Sequence, residues 1–353
     1  MRMRSLRLFI FVVCCSIFFV GCTGETLPSE EEVIESVEVI EKEPMIEETT
    51  EVIEEPEINY PYVFPLTGLG TEEEAVQRPV IVMVENSPLA RPQSGLHLAD
   101  VVYEILAEGE ITRFVAVFQS ESPEIIGPVR SIRPYFVEIS EGLDALIVHA
   151  GWSQEAMNMI STRGLPNFDE VYGDGAYYWR SNDRRPPHNL YTNTELIRKG
   201  AANKGYRETW TDVEMTFADV ETILDGDPAN QVEIPYLLGY KVNYEFNEEE
   251  NIYYRYMAGE AHKDRETDEQ LIANNILIAE ANHYILDNVG RRDVDVYGPG
   301  TGYIIQAGKV KSITWEYVHG IIRAFDENQQ EIPLLSGKTW IHIVPVGSEI
   351  KIQ

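Results

Sequence analysis

The chain has 353 residues, with 28 Lys and Arg against 59 Asp and Glu, a formal net charge of −31. No basic stripe stands anywhere to meet a polyanion, so nucleic acid is excluded as a partner. Two of the three cysteines lie inside an apolar run, which excludes a disulfide scaffold and a cysteine-built metal site.

In chain order, residues 1–7 (MRMRSLR) are basic. Residues 8–20 (LFIFVVCCSIFFV) are an uncharged run of signal-peptide length, short of the ~20 residues a membrane span needs. The run ends in Phe19-Val20-Gly21-Cys22, which resembles the lipobox of bacterial lipoproteins, with Phe19 where Leu is usual. That resemblance implies cleavage after residue 21, a lipid on the Cys22 thiol, and a body anchored on the extracytoplasmic face of the bacterial cell membrane. Residues 25–57 hold many Glu, one base (Lys42), Pro44 and Pro56, and no aromatic side chain. Charge repulsion predicts an extended, disordered tether there. At about 3.3 Å per residue its upper reach is on the order of 100 Å.

The body reads as α+β. PVIVMVEN (79–86) and ALIVHAGW (145–152) are buried-strand patterns, and DVVYEILAEG with EITRFVAVFQS predicts a hairpin turning at 108–110. Pro134 opens a predicted helix through PYFVEISEGL. Ser153 caps SQEAMNMISTR before Gly164, and Thr192-x-x-Glu195 is a capping-box pattern for a third helix ending near Gly205. From about residue 212 helix patterns nearly vanish, although DEQLIANN has room for a turn or two. KVNYEF and NIYYRYMAG flank a turn, and NNILIAEA, TGYIIQAG, KVKSITWEYV, IIRAF, EIPLL and KTWIHIVPV follow as short strands. The expected organisation is a signal peptide (1–21), a tether (22–58), a layered sheet/helix N-terminal domain (59–212) and a mainly β C-terminal domain (213–353).

Several unusual pieces occur here in one order: RPVIVMVENSPLARPQSGLHLADVVYEILAEGEITRFVAVFQS, IGPVRSIRPYF, LIVHAGWS, YYRYMAGEAHKD, GPGTGYIIQAGKVKSITWE and LLSGKTWIHIVP. This set resembles the YerB-type bacterial lipoproteins over most of residues 70–346. The resemblance implies a lipid-anchored envelope protein with an α+β first domain and a β-rich second one. It implies no reaction, and the family carries a domain-of-unknown-function label.

The candidate site residues come from side-chain chemistry. Between Lys42 and Lys199 all ten bases are arginines, and arginine's rigid fork grips carboxylate or phosphate and tolerates partial burial better than lysine. Arg130 and Arg133, in GPVRSIRPYF, have no carboxylate between them. They are expected either to clamp the chain's own Glu104 and Glu108, with Arg113 on the facing strand, or to hold an anionic ligand. His149 ends an apolar strand beside Gly151, a place for a general base or, more often, for a hydrogen-bonded core histidine. Asp183, Arg184, Arg185, His188 and Asn189 crowd SNDRRPPHNLYTN, a Pro-rich loop before a helix N-terminus. No nucleophile elbow, zincin or phosphate-loop motif occurs. His262 and Asp264 are too few for a metal, and no cofactor is expected. The reading that follows leans away from an enzyme: an anchored lipoprotein that binds an anionic wall polymer or peptidoglycan fragment through the arginine cleft. The alternatives are a wall hydrolase using Glu104, Glu108 or His149 as base, and a protein–protein adaptor presenting the β-rich half.

Overall fold

Strand-forming runs of Val, Ile and aromatic residues alternate with capped helices in the first half, and among the described residues strands dominate the second. In the computed structural model the described residues are 60–210, 215–218, 224–236, 239–318 and 320–353. The signal sequence, Cys22, the tether and the boundary expected at 212/213 lie outside them. The elements that matter are β1 (Val80–Glu85), β2 (Val101–Leu106), β3 (Thr112–Phe118), α1 (Pro134–Gly142), β4 (Leu146–His149), α2 (Gln154–Arg163), β5 (Asn167–Asp169) and α3 (Thr194–Lys204). The second half adds β6 (Asp227–Pro228), β7 (Gln231–Pro235), β8 (Lys241–Asn247), β9 (Ile252–Met257), β10 (Asn275–Ala281), β11 (His283–Ile285) and β12 (Arg292–Val294). It continues through β13 (Gly300–Gln306), β14 (Lys309–Val318), β15 (Ile321–Phe325), β16 (Thr339–Pro345) and β17 (Lys351–Ile352).

The expected α+β class holds: helices and sheet in the first half, strands in the second. Yet both halves enter one eleven-stranded sheet, ordered β6-β14-β13-β10-β16-β2-β3-β1-β4-β5 with β15 beside β14. The join is β16, which pairs in parallel with β10 on one side and β2 on the other. The pairing makes β1, β2, β4, β5, β10 and β16 run the same way. Their carboxyl ends therefore share one edge of the sheet.

The pleat sorts side chains with period two. Ile81, Met83, Tyr103, Ile105, Val115 and Ile341 face α1 and α2, whose Phe136, Ile139 and Ile160 cover them. Val82, Val84, Val102, Phe114 and Trp340 face the other way, onto Ile197 and Ala201 of α3 and onto a six-stranded antiparallel sheet built on β7, β8, β9 and β17. Helix ends follow the expected chemistry with one shift. Ser153 caps α2 by accepting from the Ala156 N–H, and Gly164 and Gly205 close α2 and α3 in the left-handed region. The α3 cap is Asn193 rather than Thr192, because the Thr192 backbone is already bridged to Ile126. The stretch DEQLIANN forms an isolated bridge at Gln270 and a short strand, not a helix. No described helix is long and apolar enough to cross a membrane.

Candidate functional site at the carboxyl edge of the sheet

GPVRSIRPYF runs extended across this edge. The N–H of Glu85 bonds Pro128 O (2.9 Å), Arg130 N bonds Met83 O (2.8 Å), Ala150 N bonds Arg130 O (3.0 Å) and Ile132 N bonds Gly151 O (3.1 Å). The segment thus laces the end of β1 to the end of β4. Gly127 is required: at φ 152 a Cβ there would stand 2.8 Å from Leu190 O. The backbone fixes where Arg130 and Arg133 begin, and each finds a different carboxylate.

Arg130 meets Glu85, Nε to Oε1 at 3.3 Å, and its side chain is 30% exposed. The same carboxylate accepts from Ser87 Oγ (2.8 Å) and lies 2.9 Å from His188 Nδ1. Arg133 meets Glu108 through Nε and Nη2, and Arg113 Nη2 reaches the other oxygen of that carboxylate at 3.0 Å. Burial alone would raise the Glu108 pKa, but Arg113 and Arg133 outweigh it and hold the carboxyl below its usual range. Burial, then the neighbouring Arg113, lowers Arg133. Arg113 lies opposite Ile105 and Glu85 in register, not opposite Glu104. Its length carries it to the Glu108 turn.

Glu104 stands apart from this group. It points to the opposite face of β2 and is fully buried between the two sheets, where Arg255 Nη2 donates to its Oε2 at 2.7 Å. Thr112 Oγ1 (2.8 Å) and Asn86 Nδ2 (3.2 Å) donate to its other oxygen. The Arg255 guanidinium lies 4.1 Å over the Trp340 ring, and His342 sits between the hydroxyls of Tyr236 (3.0 Å) and Tyr244 (2.8 Å). His149 is likewise sealed: its Nδ1 lies 3.0 Å from Gly151 O, and burial lowers its pKa. Neither residue offers a base to solvent, and Glu108 has both oxygens engaged by guanidinium groups.

The SNDRRPPHN loop docks on the same edge. His188 reaches Glu85, and Arg184 donates to Ala90 O and Pro92 O, each at 2.5 Å. Buried Asn189 accepts from Arg180 Nη1 (3.1 Å) and donates to Ser181 O (2.9 Å). Arg185 and Asp183 are exposed, with Arg265 Nη2 3.6 Å from Asp183 Oδ2. His262 and Asp264 serve separate partners: Gln93 Oε1 lies 2.8 Å from His262 Nε2, and His97 Nδ1 lies 2.9 Å from Asp264 Oδ2. No group of three metal-ligating side chains occurs among the described residues.

The structure thus gathers Arg113 and Arg133 on Glu108 and Arg130 and His188 on Glu85, and leaves Glu104 and His149 in the interior. Sequence reasoning missed Arg255 as the partner of Glu104, while Glu85 stood among the possible partners of the arginines. Glu85 carries a readable signal, a carboxylate at the carboxyl end of an otherwise apolar strand. Arg255 carries none, because its partner lies on a strand 151 residues away.

Fold and edge define an α+β protein whose two parts are knit by one sheet and whose parallel strands end at an ion-paired edge. The chain belongs to the DUF3048 family: residues 66–207 match the model described as "Protein of unknown function (DUF3048) N-terminal domain" and residues 232–341 match its C-terminal counterpart. A Bacillus subtilis (strain 168) protein named "Putative lipoprotein YerB" is 42% identical over 288 residues, 80% of this chain and 86% of that one. The crystal structure of YerB from Bacillus subtilis superposes with a TM-score of 0.77 at 39% identity, covering 83% of this chain and 99% of that chain. The resemblance read from the residues is borne out.

Proposed function

We propose that this protein is a lipid-anchored envelope lipoprotein, held on the extracytoplasmic face of the cell membrane through Cys22, whose body binds an anionic envelope component at the carboxyl edge. Anchoring is supported by the FVGC sequence at residues 19–22 and by the lipoprotein name of the Bacillus relative. Binding is supported by one observation. Arg113, Arg130, Arg133 and His188 gather around only two carboxylates, Glu85 and Glu108, in a chain whose overall charge is −31. An ion network serving the fold alone would be expected to pair its charges one for one. Here Arg130, the most solvent-accessible of the four, is the side chain best placed to meet a ligand.

The test is titration of the full-length chain, in detergent micelles, with a glycerol phosphate polymer and with soluble peptidoglycan fragments. One of them should bind, with affinity falling as salt rises and dropping about tenfold in Arg130→Ala. Absence of binding, or binding indifferent to Arg130, would overturn the reading.

A further inference from the structure

On the Arg133 side of this edge lies a groove of about 370 Å³, bounded by the starts of α1 and α2 and by the β11–β12 hairpin. Ile132 and Trp152 form a parallel bridge, so the two helices begin side by side with their N-termini toward the groove. The first N–H groups of a helix have no acceptor within it. In α2 the Ser153 cap takes only the Ala156 N–H, which leaves those of Gln154 and Glu155 at the groove wall. A helix start alone is weak evidence. The second observation is Arg292.

Arg292 lines the groove and is 6% exposed. Its Nη2 donates to Gly109 O at 2.6 Å, its Nε is buried without a partner, and no carboxylate among the described residues pairs with it. Its neighbours differ. Arg291 is exposed and paired with Asp287, and Arg133 is paired with Glu108. A guanidinium taken out of water without a counter-ion is costly. Nearby His283 does not relieve it: burial first, then Arg292, lowers the pKa of that ring. Glu155 is exposed at the mouth of the groove, where solvent screens its charge.

We infer that the groove seats the oxyanion of the ligand, a carboxylate or phosphate carried on a sugar-sized body, with Arg292 as its buried counter-ion and the α2 N-terminus as the second donor. This inference rests on the anion-binding reading above and names the seat and the chemistry. The volume falls within the range of small-molecule sites, roughly 300–1,000 Å³. Donors at a helix N-terminus together with one guanidinium suit an oxyanion and offer a neutral sugar little.

The experiment is calorimetric titration of the full-length chain in detergent micelles with N-acetylmuramic acid, glycerol 3-phosphate and uncharged N-acetylglucosamine. A charged probe should bind and the neutral one should not, and whichever charged probe wins identifies carboxylate or phosphate as the source. Arg292→Gln should weaken binding about tenfold, and Arg163→Gln, at the far end of α2 and paired with Glu138, should leave it within about twofold. Should Arg292→Gln fail to fold, Glu155→Gln carries the test, because removing that exposed charge should tighten binding about two- to fivefold. Affinity unchanged in both Arg292→Gln and Glu155→Gln would overturn the inference. If polymer binding is lost in Arg130→Ala while no small charged probe binds, the groove is not the seat and the broader reading stands. Absence of binding by polymer, fragment and probe would remove both.

Discussion

Arg130 and Arg255 carry the same charge but very different weight. Arg255 is fully buried, and its carboxylate partner Glu104 is buried with it. Removing one member of such a pair strands the other, so Arg255→Ala should cost about 3–5 kcal/mol. Arg130 is partly solvated, and Glu85 keeps Ser87 and His188 without it. Arg130→Ala should therefore cost no more than ~1 kcal/mol. Urea denaturation of the two variants beside the wild type checks this contrast, and a large loss in Arg130→Ala would mark the segment as a structural clamp. Titration gives a second expectation. His149, His262 and His342 are buried, and burial depresses the pKa of each. Between their folded pKa values and the unfolded value of about 6.5 the unfolded chain binds more protons. Their contribution is thus present above about pH 6.5 and is lost as pH falls below it, by roughly 1.4 kcal/mol per pH unit for each histidine. The depressed Glu108 has the same sign, starting lower: its contribution is present above about pH 4.3 and is lost as pH falls through its folded pKa. Denaturation midpoints should drop between pH 7 and pH 5, with a shallower slope in His342→Gln.

Helix α1 makes a second close contact between the two halves, beside the β16–β2 pairing. An ideal Cβ on Gly142, at its end, would stand 2.6 Å from both Cα and O of Gly320, which follows β14. Alanine is the better helix former by about 1 kcal/mol. Overpacking against backbone costs about 1–3 kcal/mol, so Gly142→Ala should destabilise on balance. A raised melting temperature would show that the two backbones can part. The elements themselves were legible because their signals are local: Pro134 at the start of α1, Ser153 and Gly164 around α2, the Val and Ile runs of β1 and β4. What moved was decided by neighbours. Thr192 lost the α3 cap because Ile126 claimed its backbone, and Arg113 stands opposite Ile105 rather than Glu104 or Glu108 because the hairpin register is set by its whole ladder. For the same reason the arginine loop and its carboxylate Glu108 could be picked out from chemistry, while the division that gives Arg130 to Glu85 and Arg133 to Glu108 could not.

At the scale of the molecule, helices and strands in the first half give way to strands in the second, but the hydrogen bonding crosses from one to the other. No local pattern says that residues 339–345 will lie between 101–106 and 275–281. A chain stopped at residue 338 would leave β2 and β10 as open, apolar edges, a template for association. It should elute as aggregate and lack near-ultraviolet circular dichroism. A folded monomer would mean that the halves are self-sufficient. The position of β16 also sets a clock. Of the eleven strands it is the last to be synthesised, and it fills the middle of the sheet. Long-range pairing of this kind is slow, and here it cannot start until nearly the whole body has left the ribosome. Under the proposed lipid anchoring the chain crosses a membrane as an open thread, and there that delay is useful: the sheet is closed by its last strand, after the rest has gone through.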